Sequence, residues 1–270
     1  MAKILFINPN KWGRGVTHIW IASHSGILKK NKHIVELFDA TFYQDWTTSE
    51  IKFNTDNLQY KPSEYNEIVK FKKTNVFEDL QKRINDFKPD FIFWSALSSH
   101  IHGEGEYVNV QNGYNLIEKL NTKNSILLTG GLQATANPDL IFSKMSKIDL
   151  LIRGESELVL LEILDCFDKK TTFYNVDGIS FKSNGITISN KKQNIINNLD
   201  IISPYNYSIF DEQVFLRSYN GNVIRAIDYE LSRGCIFTCS YCVETVIQNY
   251  YNFNEKTKTG ALKNWKSYLR

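Results

Sequence analysis

The sequence predicts an α/β protein, Rossmann-like in class, whose first 168 residues form a parallel sheet covered by helices on both faces. Three observations lead there. The runs Ile4–Asn8, Phe91–Trp94 and Ser125–Thr129 are mostly apolar, as strands buried on both faces are. Segments with helical spacing alternate with the strand-like runs, the clearest carrying Val76, Phe77, Leu80, Ile84 and Phe87. Strand–helix alternation of this kind is how a parallel sheet is built.

The elements follow in order. Ile4–Asn8 is the first strand, Thr17–Lys30 a helix, and His33–Phe38 the second strand, ending at Asp39. Residues Thr41 to Asn75 are polar and aromatic with weak periodicity. A helix over Val76–Phe87 leads through Lys88-Pro89-Asp90 into the third strand, Phe91–Trp94, closed by Ser95. A helix over Tyr107–Leu120 precedes the fourth strand, Ser125–Thr129, which ends in Gly130-Gly131. Pro138–Met145 is a short helix, Asp149–Ile152 the fifth strand, and Ser156–Phe167 the helix after Arg153-Gly154-Glu155. Five such strands fit a flavodoxin-like order, 2-1-3-4-5.

The texture then changes. Gly178–Lys182 and Ile186–Ile188 flank Ser183-Asn184-Gly185, a hairpin signal. Asn190 to Asn222 reads as a connecting segment, and Val223–Leu231 as a strand feeding a cysteine-rich loop. The expected division is therefore 1–168 as a sheet domain, 169–222 as a linker with a hairpin, and 223–270 as the beginning of a second, barrel-like unit.

The chain has 270 residues, 42% hydrophobic and 23% charged, an ordinary globular composition. A net charge of +3 is too small to argue for nucleic acid. No apolar run approaches the roughly 20 residues of a membrane span, and the N-terminus carries no signal-peptide pattern. Four cysteines without a disulfide layout suit a reducing cytoplasm.

Three of those cysteines carry the chemistry. Arg233-Gly234-Cys235-Ile236-Phe237-Thr238-Cys239-Ser240-Tyr241-Cys242 spaces its thiols by three residues and then two. Zinc sites pair separated ligand couples, and here Cys166 is remote and no histidine follows Cys242. A disulfide would leave one thiol over. Iron–sulfur clusters are held by cysteine thiolates, normally four. Three suit a cluster with one iron open to another ligand. Cys166 lies on an apolar helix face and reads as a buried structural thiol.

The motif, with Arg-Gly before its first cysteine and an aromatic before its last, resembles the radical S-adenosylmethionine (SAM) enzymes. The resemblance implies a 4Fe-4S cluster on Cys235, Cys239 and Cys242 that binds SAM through its open iron. Reductive cleavage of SAM then gives methionine and a 5′-deoxyadenosyl radical. Tyr241 matches the family position near the adenine of SAM; packing beneath the loop is its plainer role. Arg233 either balances the cluster charge or pairs with Glu230.

The segments ending the first five strands carry a second resemblance. Strand-Asn-Pro, Pro-Asp before the third strand, Gly-Gly after the fourth and Arg-Gly-Glu after the fifth are similar to the cobalamin-binding domain that precedes many radical SAM modules. It implies cofactor contacts from Asn8 in the first loop, Ser95 and Ser98 in the third, Gly130, Gly131 and Gln133 in the fourth, and Gly154 and Glu155 in the fifth. Taken alone, a Gly-Gly after a strand is more often a tight turn, and Glu155 equally suits a helix start. The sequence departs from that family in its first loop, Asn8-Pro9-Asn10-Lys11-Trp12-Gly13, and in carrying Gln133 where histidine is common. The Asp-x-His-x-x-Gly signature is absent, so no cobalt-ligating histidine is expected from it. His100 and His102 read as solvated loop residues, and Trp12, Trp20 and Trp94 as packing residues.

Together these resemblances imply a cobalamin-dependent radical SAM enzyme. Methyl transfer to an unactivated centre of a small molecule is the leading reaction, with a flavodoxin or ferredoxin as reductant. No catalytic side chain is assigned. Twenty-eight residues follow Cys242, whereas the family's barrel lies mostly downstream. The sequence is therefore expected to be the N-terminal portion of a larger enzyme, inactive alone. The alternatives are a non-catalytic corrinoid carrier, or a radical SAM protein whose first domain recognises substrate or partner without cobalamin.

Overall fold

The computed structural model describes residues 1–48, 63–95, 106–202, 204–242, 244–264, 266 and 270, without the side chains of 106–108. Its centre is a seven-stranded sheet in the order β2-β1-β3-β4-β5-β6-β7. The strands are β1 Lys3–Asn8, β2 Ile34–Asp39, β3 Phe91–Ser95, β4 Ile126–Gly130, β5 Leu150–Ile152, β6 Ile179–Ser183 and β7 Ile186–Ser189. The first five run parallel in the expected 2-1-3-4-5 order. The chain folds as the α/β class read from its sequence.

Helices α1 Ile19–Lys30, α2 Tyr65–Ile68, α3 Val76–Phe87, α4 Glu106–Ile117, α5 Leu132–Ala136, α6 Pro138–Lys144 and α7 Glu157–Asp168 complete the first part. Alternate strand residues point to opposite faces and supply two cores. Phe6, Phe91, Phe93, Leu128, Leu150 and Ile152 pack beneath α1 and α7. Leu5, Ile7, Ile92, Trp94, Leu127 and Leu151 pack beneath α3, α4 and α6. Trp94 belongs to this second core: its Nε1–H donates to the Val110 carbonyl at 3.0 Å, and its indole fills the space that Gly113 leaves on α4.

Asn75 caps α3, its side chain accepting from the N–H groups of Phe77 (3.0 Å) and Glu78 (3.1 Å). Lys88 closes the helix in the left-handed conformation just before Pro89. The hairpin turns at Asn184 (φ 50°) and Gly185 (φ 80°), the pair of positive φ values that a two-residue I′ turn needs. It is no separate appendage: β6 pairs antiparallel with β5, from Leu150–Phe181 to Ile152–Ile179.

The later segments differ from expectation in two ways. The stretch 190–222 is not merely a connector. Ile196, Ile202, Phe210 and Val214 are buried in the core under α1 and α7. It also contains β8 Leu216–Tyr219, which pairs with β9 Asn222–Arg225 in a second two-stranded sheet. The strand read over Val223–Leu231 is thus confined to Asn222–Arg225. Beyond it the backbone bonds elsewhere: Asp228 N–H donates to Thr17 Oγ1 at 2.6 Å, and Arg233 exchanges backbone hydrogen bonds with Arg270 at 2.8 and 2.9 Å. A strand lasts only where a neighbouring strand takes its hydrogen bonds. Helix α8, Glu244–Tyr250, follows the cysteine loop. Among the described residues no helix is long and apolar enough to cross a membrane.

Candidate functional site at the carboxyl edge of the sheet

The carboxyl ends of β1, β3, β4 and β5 lie along one edge of the sheet, where an open α/β fold takes its ligands. In the first loop, Asn10 forms a local turn: its Oδ1 accepts from Trp12 N–H at 2.9 Å and its Nδ2 donates to the Arg14 carbonyl at 3.0 Å. Asn8 is buried at the end of β1, and its Nδ2 donates to Asp39 Oδ1 at 3.0 Å. Asp39 also accepts from the Thr41 N–H and hydroxyl, and burial pushes its carboxyl above the usual carboxylate range.

Asn8 and Ser95, both read from the sequence as cofactor contacts, meet here. With Pro9, Asn10, Trp12, His18, Trp20 and Asn109 they line one narrow cleft with about 10 Å³ of space, room for a single water. Ser98, His100 and His102 lie outside the described residues.

The fourth and fifth loops are joined by a residue that the sequence did not single out. Thr135 Oγ1 donates to the Gly131 carbonyl and accepts from Gly154 N–H, both at 2.8 Å. Gly131 has φ 104° and Gly154 φ 72°, conformations that suit glycine. Gln133 sits in α5, the short helix after Gly131 that sequence periodicity did not reveal. At Gly154 a Cβ would fall 2.8 Å from the Tyr250 ring and would overlap the Tyr251 hydroxyl. Gly154 therefore admits α8, and α5 and α8 pack together. The cysteine-loop helix thus stands directly against the fourth and fifth loops.

Arg233, two residues before Cys235, reaches the same place. Its side chain is 14% exposed and its three guanidinium nitrogens meet three different carboxylates: Nη2 to Glu157 at 2.6 Å, Nε to Glu230 at 2.8 Å, and Nη1 to Glu155 at 3.1 Å. Glu230 was anticipated; Glu155 and Glu157 were not. Glu155 also pairs with Arg270, accepts from Ile196 N–H at 2.7 Å, and uses its own N–H to donate to the Tyr251 hydroxyl at 3.0 Å. Burial would raise both carboxyls. For Glu157 the Arg233 charge overcomes it and brings the pKa down to about 2. For Glu155 burial prevails and the pKa stays above the ordinary range.

Beneath Glu157 lies His24. Its Nδ1 is 2.6 Å from the Trp20 carbonyl, which only accepts, so Nδ1 carries the proton. Nε2 then accepts from the Ser156 hydroxyl at 2.8 Å. Burial lowers the His24 pKa and keeps the ring neutral.

Cys235, Cys239 and Cys242 are in no disulfide and are all half-buried on one loop. Gly234 enters the loop at φ 96°. Gln248 of α8, 1% exposed, donates through Nε2 to the carbonyls of Phe237 (2.7 Å) and Cys235 (3.1 Å). Cys242 N–H closes back on the Cys239 carbonyl at 3.1 Å. Tyr241 is 88% exposed, and a hydrogen bond between its hydroxyl and Cys239 raises its pKa. Among the described residues no three His, Cys, Asp or Glu side chains converge on one metal position. The donor set still fits a cluster: three thiols on one tethered loop match three thiolate ligands in number and type. Cys166 lies apart on α7.

No protein-family model matches the chain. It is 26% identical over 167 residues to an uncharacterised methyltransferase of Pyrococcus horikoshii, covering 62% of this chain and 34% of that protein. It is 23% identical over 184 residues to an anaerobic magnesium-protoporphyrin IX monomethyl ester cyclase of Cereibacter sphaeroides, covering 67% and 28%. The chain thus spans about a third of the length of these curated relatives. Among solved structures it is similar to the cobalamin-dependent SAM radical enzyme OxsB with aqua-cobalamin bound, at TM-score 0.57 and 18% identity, over 90% of this chain and 28% of that one. It is also similar to the radical SAM methyltransferase TsrM of Kitasatospora setae with cobalamin and a [4Fe-4S] cluster bound, at TM-score 0.52 and 14% identity, over 90% and 42%. In fold along nine-tenths of its length, this chain resembles the cobalamin-dependent radical SAM enzymes.

Proposed function

We propose that the chain carries the cobalamin- and cluster-binding portions of a radical SAM enzyme, and that the reaction is methyl transfer to an unactivated centre of a small molecule. One observation carries the reading. The loop of Cys235, Cys239 and Cys242 is docked by Arg233 and α8 onto the fourth- and fifth-strand loops of a 2-1-3-4-5 sheet. A cluster on that loop and a corrin at the sheet edge would be neighbours. Similarity to a methyltransferase in sequence supports the choice of reaction.

In this reading the three cysteines hold the cluster and leave one iron to SAM. Tyr241, exposed beside Cys242, offers its ring to the adenine. Asn8, Ser95, Ser98, Gly130, Gly131, Gln133, Gly154 and Glu155 belong to the corrin side. There Gly130 and Gly131 allow close backbone approach, while Asn8 and Thr135 fix the loops. Residues 1–168 form the corrin-binding unit, 169–222 extend its sheet and core while leading onward, and 223–270 are the start of the cluster-binding unit. When bound, the cofactors supply the methyl group and the radical; the protein binds and orients them. A low-potential flavodoxin or ferredoxin supplies electrons, and the cytoplasm is the compartment that keeps the thiols reduced.

The test is anaerobic reconstitution with iron, sulfide and hydroxocobalamin, followed by desalting and an absorption spectrum. Retained corrin together with about four irons per chain, the content of a cubane cluster, is expected. Iron without corrin would remove the reading of the first 168 residues. Corrin without iron would leave a carrier.

A further inference from the structure

We infer that Arg233 is a positioning residue, which holds the first cluster ligand Cys235 at the fifth-strand loop by spending its three guanidinium nitrogens on three separate carboxylates. The inference rests on the reading of the cysteines as cluster ligands.

Glu155 and Glu157 belong to the fifth loop and the first turn of α7, while Glu230 precedes the cysteine loop. The guanidinium therefore joins two parts of the fold that are otherwise distant in sequence. Only Gly234 separates it from Cys235, so a shift of the Arg233 backbone moves Cys235 with it. On the far side the Cys235 carbonyl is held by Gln248. Cys235 is thus clamped between the sheet and α8, whereas the Cys239 carbonyl accepts from Cys242 within the loop and the Cys242 carbonyl accepts from Thr245 at the start of α8. The arrangement needs a planar fork of donors. A lysine ammonium keeps the charge but is a single point, and cannot lie against three carboxylates set around a plane. Groups that orient metal ligands in this way change metal retention without touching the metal.

The experiment uses the whole chain as wild type, Arg233→Lys and Glu230→Gln, reconstituted with iron and sulfide. The readouts are the rate at which a ferrous chelator strips the iron, and hydrogen exchange of backbone amides in the apo protein. For Arg233→Lys, iron is expected to leave about 10-fold faster, the usual scale for a lost orienting contact. Exchange across 235–242 should rise by about 10-fold while amides of β1, β3 and β4 keep their protection. Glu230→Gln, which leaves Glu155 and Glu157 in place, should fall between the two; it also serves if Arg233→Lys does not fold. Iron loss and loop exchange at wild-type rates in the variants would overturn the inference while leaving the cluster reading intact. A wild-type chain that takes up no iron would overturn both, and the two failures are told apart by the wild-type sample alone.

Discussion

Arg233 Nη2 lies 2.6 Å from Glu157 Oε1 and ties the entrance of the cysteine loop to the first turn of α7. Both side chains are largely buried, 14% and 5% exposed. Buried ion pairs contribute little net stability while intact, but removing one partner strands the other. Arg233→Met is therefore expected to lower the unfolding free energy by about 3–5 kcal/mol, read from urea denaturation. Part of the loss should be recovered when Glu157→Gln is added, because the most buried of the three carboxylates that lose Arg233 is then neutral.

The same pair sets an acid limit. Glu157 is held at about 2 against an ordinary 4.5, so its contribution is complete above pH 4.5 and is lost as the pH falls from 4.5 towards 2. Glu155 works in the opposite sense, since burial raises its pKa and makes its ionised form costly. Comparing wild type with Glu157→Gln isolates the first term. The stability difference between them should shrink by about 3 kcal/mol across that window.

His24 adds a second dependence nearer neutrality. Its folded pKa lies below the ordinary 6.5, so the unfolded chain binds the extra proton first. Stability from the neutral ring is full above pH 6.5 and declines below it. The urea midpoint of the wild type should fall between pH 7 and pH 5, and His24→Gln should flatten that decline. An unchanged slope in the variant would contradict the buried neutral ring.

Gly154→Ala tests the seat of α8. Its φ of 72° and its contact with Tyr250 and Tyr251 both oppose a Cβ. The expected cost is about 1–3 kcal/mol, with a change in tyrosine near-ultraviolet dichroism as Tyr250 and Tyr251 are displaced. Gly185→Ala at the hairpin tip has a positive φ but nothing within 4 Å. It should leave the tyrosine signal as it is.

The cysteines separate by role. Cys235→Ala, Cys239→Ala and Cys242→Ala should each reduce iron retained after reconstitution and desalting to a small fraction of the wild-type value. Cys166→Ala, near the opposite end of α7 from Glu157, should leave it unchanged. Equal iron in all four variants would mean that the metal is held elsewhere.

Much of this was legible in the sequence, and the reasons are local. Phe91–Trp94 and Ser125–Thr129 read as buried strands because they are mostly apolar, and Asn184-Gly185 read as a turn because both residues accept positive φ. The same signal stands at Asn220 (φ 48°) and Gly221 (φ 80°), where it turns β8 into β9; the polar residues around it masked the hairpin. Helix α5 escaped because five residues are too few to show a period. In the candidate site, the cysteine spacing was readable, as were the small and polar residues at the strand ends. What was not readable was long-range pairing. Glu155 and Glu157 look like ordinary acids at a helix start, and nothing near them in the chain announces Arg233, 78 and 76 residues away. Thr135 was missed for the same reason, since its value lies in bridging Gly131 to Gly154.

The most direct test of the central claim is the Mössbauer spectrum and iron content of the chain reconstituted anaerobically with ⁵⁷Fe and sulfide. A cubane cluster with about four irons per chain, one iron site distinct from the other three, and loss of that signal in Cys235→Ala is the predicted result. A mononuclear tetrahedral iron signal, or no iron retained after desalting, would contradict it.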